Sequence, residues 1–354
     1  MTTSIPLPAG GAAAAAPKTN ILGLVKKDYD GVASTLCNGC GHDAITASLI
    51  QALWEDGMNP YKVAKMSGIG CSSKTTAYFL SKAWGFNAVH GRMPSVATGA
   101  LLANRTLIGV GVSGDGDTAS IGIGQLVHAV RRNVPLTYIV ENNGVYGLTK
   151  GQFSATSEKG AKSKYGDVNP SEGIDICSLA LELGATFVAR SFSADKKQLV
   201  PLLKAALKHR GIAIVDVISP CVTFNNHPDS TKSYDWGREH EKQIHEIGYV
   251  NPWDPQAVDY PAGERVEVAM PDGGRILVRK IDRDFDPRDK KAAQQLLAAT
   301  RESGEFLTGL FFVAADTPNL IDTLNMPAAP LSSLGQADLR PGHEALEEVM
   351  ESFR

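Results

Sequence analysis

Short apolar runs alternate with amphipathic stretches from residue 21 to about residue 235. Val63–Met66, Leu107–Val112, Leu136–Val140 and Ile212–Ile218 are near-continuous hydrophobic runs, as expected for strands buried on both faces of a parallel sheet. Between them, His42–Trp54, Thr118–Arg132, Ile174–Leu183 and Lys196–His209 carry apolar residues at helical spacing. Strand and helix in alternation predict an α/β fold, a doubly wound parallel sheet with helices on both faces. Ligands of such sheets bind beyond the carboxyl ends of the strands. After Trp236 the texture changes. Arg265–Ala269 and Arg275–Ile281, joined through Pro271-Asp272-Gly273-Gly274, predict a β-hairpin. A helix over Pro287–Glu302 with Asp286 as its cap follows, then a short buried run at Gly309–Ala315 and a charged terminal helix over Gly342–Arg354. The expected division is a flexible tail over 1–20, a main domain over 21–235 and a small α+β extension over 236–354.

Composition narrows the class. Of 354 residues, 43% are hydrophobic and 21% charged, which excludes a disordered or fibrous chain. A net charge of −3 leaves no footprint for nucleic acid. No segment approaches the roughly 18 consecutive apolar residues of a membrane span. The first twenty residues lack a basic stretch ahead of an apolar one, so no secretory signal is expected and the reading is cytoplasmic. Five cysteines are too few and too odd for a secreted disulfide framework. They are core residues, nucleophiles or metal ligands.

The chemistry-bearing residues fall at predicted strand ends. Leu107–Val112 runs into Gly114-Asp115-Gly116-Asp117, and Leu136–Val140 runs into Glu141-Asn142-Asn143-Gly144. The interval from Asp115 to Asn143 is the length of one β-α-β unit. If the two strands are adjacent, both loops leave one sheet edge about 5 Å apart. A carboxylate, a side-chain amide and a nearby carbonyl can then meet one hard cation, and magnesium suits that set. Gly114 and Gly116 admit a diphosphate close to the backbone, and the helix start at Thr118 offers free N–H groups. Gly-Asp-Gly alone is equally well a tight turn; paired with Asn142-Asn143 it resembles the fingerprint of the thiamine diphosphate enzymes. That resemblance makes Asp115, Asn143 and the carbonyl of Val145 the magnesium ligands.

Four cysteines lie in turns rich in Gly, Ser or Pro: Cys37 and Cys40 as a C-x-x-C pair, Cys71 after one strand and Cys221 after another. Cys177 sits in a helical stretch and reads as core. A thioredoxin-like pair explains only Cys37 and Cys40. Spacing alone leaves structural zinc and a [4Fe-4S] cluster equally open. A redox cluster beside thiamine diphosphate makes the better chemical sense.

Taken together, Cys37-x-x-Cys40-Gly41-His42, Gly70-Cys71-Ser72-Ser73, His90-Gly91-Arg92, Gly114-Asp115-Gly116-Asp117, Asn142-Asn143-x-x-Tyr146-Gly147-Leu148-Thr149, Gly151-Gln152 and Cys221 resemble the β subunit of the 2-oxoacid:ferredoxin oxidoreductases. The resemblance spans residues 37 to 221 and extends to the hairpin-containing tail. It implies a sheet of the thiamine diphosphate-binding type with the small C-terminal extension. It implies oxidative decarboxylation of a 2-oxoacid, with electrons passing through a [4Fe-4S] cluster on Cys37, Cys40, Cys71 and Cys221 to ferredoxin, and the acyl group to coenzyme A. Gly114, Asp115, Gly116, Asp117, Asn143, Val145, Tyr146, Gly147 and Leu148 would then bind the cofactor, with Cys71, Ser72, Ser73 and His90.

His42 and His90 are candidate catalytic residues, each with the plainer reading of a hydrogen-bonding loop histidine. Arg92 is a candidate catalytic and carboxylate-binding group, or a surface salt bridge. Ser73 and Thr75 are equally candidate helix caps. Lys150 and Thr149, just past the magnesium loop, and Lys74 are candidate substrate contacts. Family members with a Leu-Thr-Lys stretch tend towards 2-oxoglutarate, which Lys150 would hold by its distal carboxylate; pyruvate and other oxoacids are the alternatives. The pyrimidine domain that thiamine enzymes need is not identifiable in residues 37 to 221, so the resemblance implies a separate α subunit and an (αβ)₂ assembly. Two other readings stay open: a non-oxidative thiamine decarboxylase with structural zinc, and a non-catalytic iron–sulfur protein.

Overall fold

The hydrophobic runs pair into one large sheet. The structure, a computed structural model, describes residues 17–163, 165–224, 258–269, 275–315 and 317–354. Its strands in chain order are β1 (Val63–Ser67), β2 (Trp84–Asn87), β3 (Ile108–Gly114), β4 (Leu136–Asn142), β5 (Val145–Tyr146), β6 (Gln152–Phe153), β7 (Phe187–Phe192), β8 (Ala213–Ile218), β9 (Arg265–Ala269), β10 (Arg275–Lys280) and β11 (Glu305–Val313). Nine of them form a sheet of order β2-β1-β3-β4-β8-β7-β11-β10-β9, and β5 pairs with β6 alone. From β2 to β7 every pairing is parallel. Beyond β7 the sheet is mixed: β11 runs antiparallel to β7 and β9 antiparallel to β10.

Helices α1 (Gly41–Glu55), α2 (Thr75–Tyr78), α3 (Met93–Ala103), α4 (Ile123–Arg131), α5 (Ile176–Leu183), α6 (Lys196–Lys208) and α7 (Lys290–Ser303) accompany it. Alternate residues of the central strands point to opposite faces, and each set has its own helices. Val110, Val112, Ile139, Val215 and Val217 pack with Ile45, Leu49 and Leu53 of α1 and Leu199 and Leu203 of α6. Leu136, Tyr138, Val140, Val188 and Ile214 pack with α3, α4, α5 and α7 through Met93, Leu126, Leu181 and Leu297. Gly111 lets α3 approach, since a Cβ there would lie 2.6 Å from the Met93 sulfur.

The predicted central strands and the helices α1, α5 and α6 appear within about two residues of their expected ends. The expected helix Thr118–Arg132 instead opens as a π-helical turn, Gly116–Ile121, before α4. The helix after the hairpin is capped by Asp289, whose carboxylate accepts from the Ala292 N–H at 3.0 Å. Asp286, the expected cap, pairs with Arg288. The run Gly309–Ala315 starts in the second half of the longer strand β11 and passes its end at Val313, and only Phe311 of it is buried. The hairpin strands form as expected, while its turn, residues 271–274, lies outside the described residues, as do residues 1–16 of the expected tail. Asn20, the tail's last residue, is fixed: its amide donates to the Tyr29 hydroxyl and the Trp54 carbonyl. No helix among the described residues is long and apolar enough to cross a membrane.

Candidate active site

The unit β3–α4–β4 sets the site. Its strands are neighbours, with Gly114 level with Glu141, so the loops beyond them emerge side by side. Asp115 is the first residue past β3 and is buried. Its Oδ1 accepts the Asn143 N–H at 3.2 Å. Its Oδ2 accepts the Thr156 hydroxyl at 2.7 Å and also the Ser154 hydroxyl. Burial raises the Asp115 pKa against the pull of these donors. A buried carboxylate held this way is a costly charge unless a cation joins it. Asn143 folds back so that its Oδ1 accepts the Val145 N–H at 3.1 Å, with Gly144 in the left-handed region at φ +74°. Gly116 lies under the Tyr146 ring, where a Cβ would come within 2.5 Å of a ring carbon, and the Tyr146 hydroxyl donates to the Gly116 carbonyl.

These loops line one open cleft. Gly114, Asp115, Gly116, Asp117, Asn143 and Val145 line it, as do Tyr146, Gly147, Leu148 and Thr149. Cys71, Ser72, His42 and His90 complete the wall. The remaining candidates lie elsewhere. Lys150 is exposed beside the cleft, with φ +79°. Arg92 is exposed, and its guanidinium reaches the Gly91 carbonyl at 3.4 Å. Lys74 is half-buried, with Nζ 3.5 Å from the Thr35 hydroxyl. Ser73 donates back to the Gly70 carbonyl, so it shapes the Cys71 turn. The Asp117 carboxylate turns towards neighbouring loops: it accepts from the Gly91 N–H at 2.7 Å and the Ile69 N–H at 3.3 Å, and it contacts Ser113 and His90 Nδ1.

The comparisons with known proteins bear on this cleft. Residues 68–217 match the family described as thiamine pyrophosphate enzyme, C-terminal TPP binding domain. The β subunit of a 2-oxoacid:ferredoxin oxidoreductase of Saccharolobus solfataricus is 43% identical over 220 residues, covering 62% of this chain and 70% of that one. The chain belongs to the 2-oxoacid:ferredoxin oxidoreductase β-subunit family. The 2-oxoglutarate oxidoreductase subunit KorB of Mycobacterium tuberculosis is 42% identical over 194 residues, covering 54% of this chain and 51% of that one. Among solved structures, a 2-oxoglutarate:ferredoxin oxidoreductase from Magnetococcus marinus with 2-oxoglutarate, coenzyme A and succinyl-CoA bound superposes with a TM-score of 0.67 at 33% identity. That match covers 85% of this chain and 88% of the other. This β subunit is therefore an oxidoreductase subunit with a thiamine diphosphate-binding domain.

Cys71 lines the cleft, and Cys37, Cys40 and Cys221 lie near enough to it or to one another for their charges to interact. Cys40 caps α1, Cys37 precedes it, Cys71 follows β1 and Cys221 follows β8. The Gly41 N–H donates to the Pro220 carbonyl, tying the C-x-x-C loop to the Cys221 loop. Cys37 Sγ and the Thr223 hydroxyl are 2.7 Å apart. Burial pushes Cys221 up to about 11, assisted by the charges of Cys71 and Cys37. Burial likewise raises Cys40, with Glu141 and Cys221 adding to it. Among the described residues, no three His, Cys, Asp or Glu side chains gather closely enough to hold a single metal ion. Cys177 is buried against the Ala189 carbonyl, a core residue as expected.

Sequence reading did not find Glu141, Ser154, Thr156 or Ser219 as site residues. Glu141 is fully buried at the cleft wall, and both its oxygens accept from the Thr75 hydroxyl at 3.0 Å. Thr75 is thus not a cap. His42 Nδ1 lies 2.7 Å from the Ser219 hydroxyl and 3.6 Å from Glu141. Burial lowers His42 to about 4, so its ring is neutral at pH 7, and burial raises Glu141 well above its ordinary 4.5. Stability from Glu141 is therefore full below about pH 4.5 and is lost as pH rises through the folded pKa. In metal- and cofactor-free protein, Glu141→Gln is expected to unfold at higher urea than wild type near pH 8, with the gap closing towards pH 5. Parallel pH profiles for the two proteins would contradict this.

Proposed function

We propose that this chain is the catalytic β subunit of a 2-oxoglutarate:ferredoxin oxidoreductase, forming succinyl-CoA and carbon dioxide. The observation that carries the reading is that Cys71 lines the same cleft as Asp115 and Asn143, so a redox group on the thiols would border the cofactor. Thiamine diphosphate, when bound, would supply the carbanion chemistry at this cleft. Asp115, Asn143 and the Val145 carbonyl would hold Mg2+, an oxygen-ligand set suited to that ion. The Gly114 and Gly116 backbone would admit the diphosphate, with Asp117 fixing the loops that carry Ile69, His90 and Gly91. Cys37, Cys40, Cys71 and Cys221 would hold the [4Fe-4S] cluster from which ferredoxin takes electrons.

His42 and His90 face the cleft and would orient reacting groups there. Lys150, at the exposed edge beside Thr149, would receive the distal carboxylate of 2-oxoglutarate, with Lys74 and Arg92 acting from outside the cleft wall. The likeness to the KorB subunit favours 2-oxoglutarate over pyruvate. Coenzyme A would accept the acyl group, as the ligands of the Magnetococcus marinus enzyme suggest. A separate α subunit would supply the pyrimidine domain, in an (αβ)₂ assembly working in the cytoplasm, where thiols stay reduced. Residues 21–235 would form the cofactor domain and 236–354 an extension to it.

The test is anaerobic purification with the α partner, metal analysis, and ferredoxin reduction with a panel of 2-oxoacids. The expected result is iron, sulfide and magnesium in the complex and the highest kcat/KM with 2-oxoglutarate. A preference for pyruvate would overturn the substrate. A colourless, zinc-bearing protein that releases aldehyde would overturn the cluster.

A further inference from the structure

A chain of buried polar contacts runs from the far side of β8 to Asp115. Arg190 on β7 donates through Nε to Asp216 Oδ2 at 2.9 Å, and Arg190 and Asp216 are both buried. The other oxygen of Asp216 accepts the Asn142 amide at 3.0 Å. Asn142 Oδ1 in turn lies 3.0 Å from the Thr156 hydroxyl, which reaches Asp115 Oδ2 at 2.7 Å. β4 and β8 are hydrogen-bonded neighbours with Asn142 level with Ile218, so Asp216 lies two residues back along β8, within reach of Asn142.

We propose that Asn142, anchored by Asp216, is a positioning residue for the magnesium site: it fixes the Thr156 hydroxyl that holds the Asp115 carboxylate in its metal-facing orientation. A side-chain amide both donates and accepts, so Asn142 can bind Asp216 behind and Thr156 in front at once. The Thr156 hydroxyl has a single proton and three oxygen neighbours; shared between Asn142 Oδ1 and Asp115 Oδ2 that proton ties the carboxylate to the anchored amide, and without Asn142 its orientation is set by Ser154 and Asp115 alone. Groups one contact removed from a metal ligand, as Thr156 is from Asp115, orient it and commonly shape affinity, and Asn142 acts through that group. Asn142, the last residue of β4, therefore acts separately from Asn143 in the loop beyond it. This inference rests on Asp115 being a metal ligand.

The experiment uses the assembled, cofactor-loaded enzyme with Mn2+ in place of Mg2+, read by electron paramagnetic resonance. Asn142→Ala, one contact further out than Thr156, is expected to weaken Mn2+ binding by about threefold, below the roughly tenfold or more of a direct partner of the ligand, and alter the spectrum of the bound ion. Iron content and the far-ultraviolet circular dichroism should stay at wild-type values. Thr156→Val should also weaken binding, and adding Asn142→Ala to it should cost little more, because both act through one hydroxyl. Asn142→Ser, too short to span Asp216 and Thr156, carries the same expectation as Asn142→Ala and decides the matter if that variant does not fold. Wild-type Mn2+ affinity and spectrum in these variants, with Asp115→Asn still abolishing binding, would overturn the relay and leave the metal assignment standing. Full additivity of the two substitutions would also overturn it. Undiminished binding in Asp115→Asn itself would instead overturn the metal assignment.

Discussion

Asp115→Asn is expected to lose magnesium-dependent binding of thiamine diphosphate by more than about 100-fold, since even groups one shell further out cost roughly 10- to 100-fold in metal affinity. The substitution keeps the size of the side chain and one oxygen for the Asn143 N–H or for the hydroxyls of Thr156 and Ser154. What it removes is the charge. Burial raises the folded pKa of Asp115, so in metal-free protein this group opposes folding as pH rises above its ordinary 3.8. The same substitution should therefore leave the metal-free protein at least as stable as wild type at neutral pH. The two effects have opposite signs, which separates loss of a ligand from loss of a fold. Titration calorimetry of cofactor binding at saturating Mg2+, with urea unfolding of the metal-free form, measures both. Cofactor affinity within tenfold of wild type would remove Asp115 from the site.

That site was readable in the sequence because its first half is local. Asp115 and Asn143 belong to one strand–helix–strand unit, so their meeting follows from the length of a crossover and its fixed hand. The donors that hold Asp115 were not readable. Ser154 and Thr156 come from the turn after β6, and nothing in the periodicity of that stretch aims it at Asp115. Glu141 is adjacent to the Asn142-Asn143 pair, a signal that proximity alone could have supplied. Its partner Thr75 lies across the sheet edge.

The fold shows the same division. Strands buried on both faces announce themselves as continuous apolar runs. β2, Trp84–Asn87, is exposed along its length at the sheet edge and has no such run. β7 is buried throughout yet carries Arg190 in its middle, and a charge argues against a core strand unless its partners are known. Those partners, Asp175 and Asp216, come from a helix cap and another strand. A sequence pattern holds no record of a long-range ion pair. The strand was hidden by the interaction that makes it possible.

The cost of breaking that interaction should be large. The Arg190 guanidinium is buried, bound to Asp216 at 2.9 Å and to Asp175 at 2.5 Å, and it packs near the rings of Phe306 and Phe311. Burial pushes Asp175 upward, but Arg190 and the Ser178 N–H together hold it below the usual carboxylate range. For Asp216, burial outweighs the guanidinium and the pKa is raised. Asp175 is also the cap of α5, so the guanidinium links β7, β8 and that helix. Arg190→Met fills much of the volume and leaves two carboxylates without their cation. Removing one partner of a buried pair typically costs about 3–5 kcal/mol, against a total stability of roughly 5–15 kcal/mol. The deficit should depend on pH with a definite sign. In the variant both folded carboxylate pKa values rise above their unfolded ones, so stability is lost as pH rises and recovered as protons neutralise the acids. The gap to wild type is therefore expected to be widest near pH 8 and to narrow towards pH 5. Urea unfolding midpoints across that range decide it: a deficit under about 1 kcal/mol, or one that widens on acidification, would show that the pair is not what holds these three elements together.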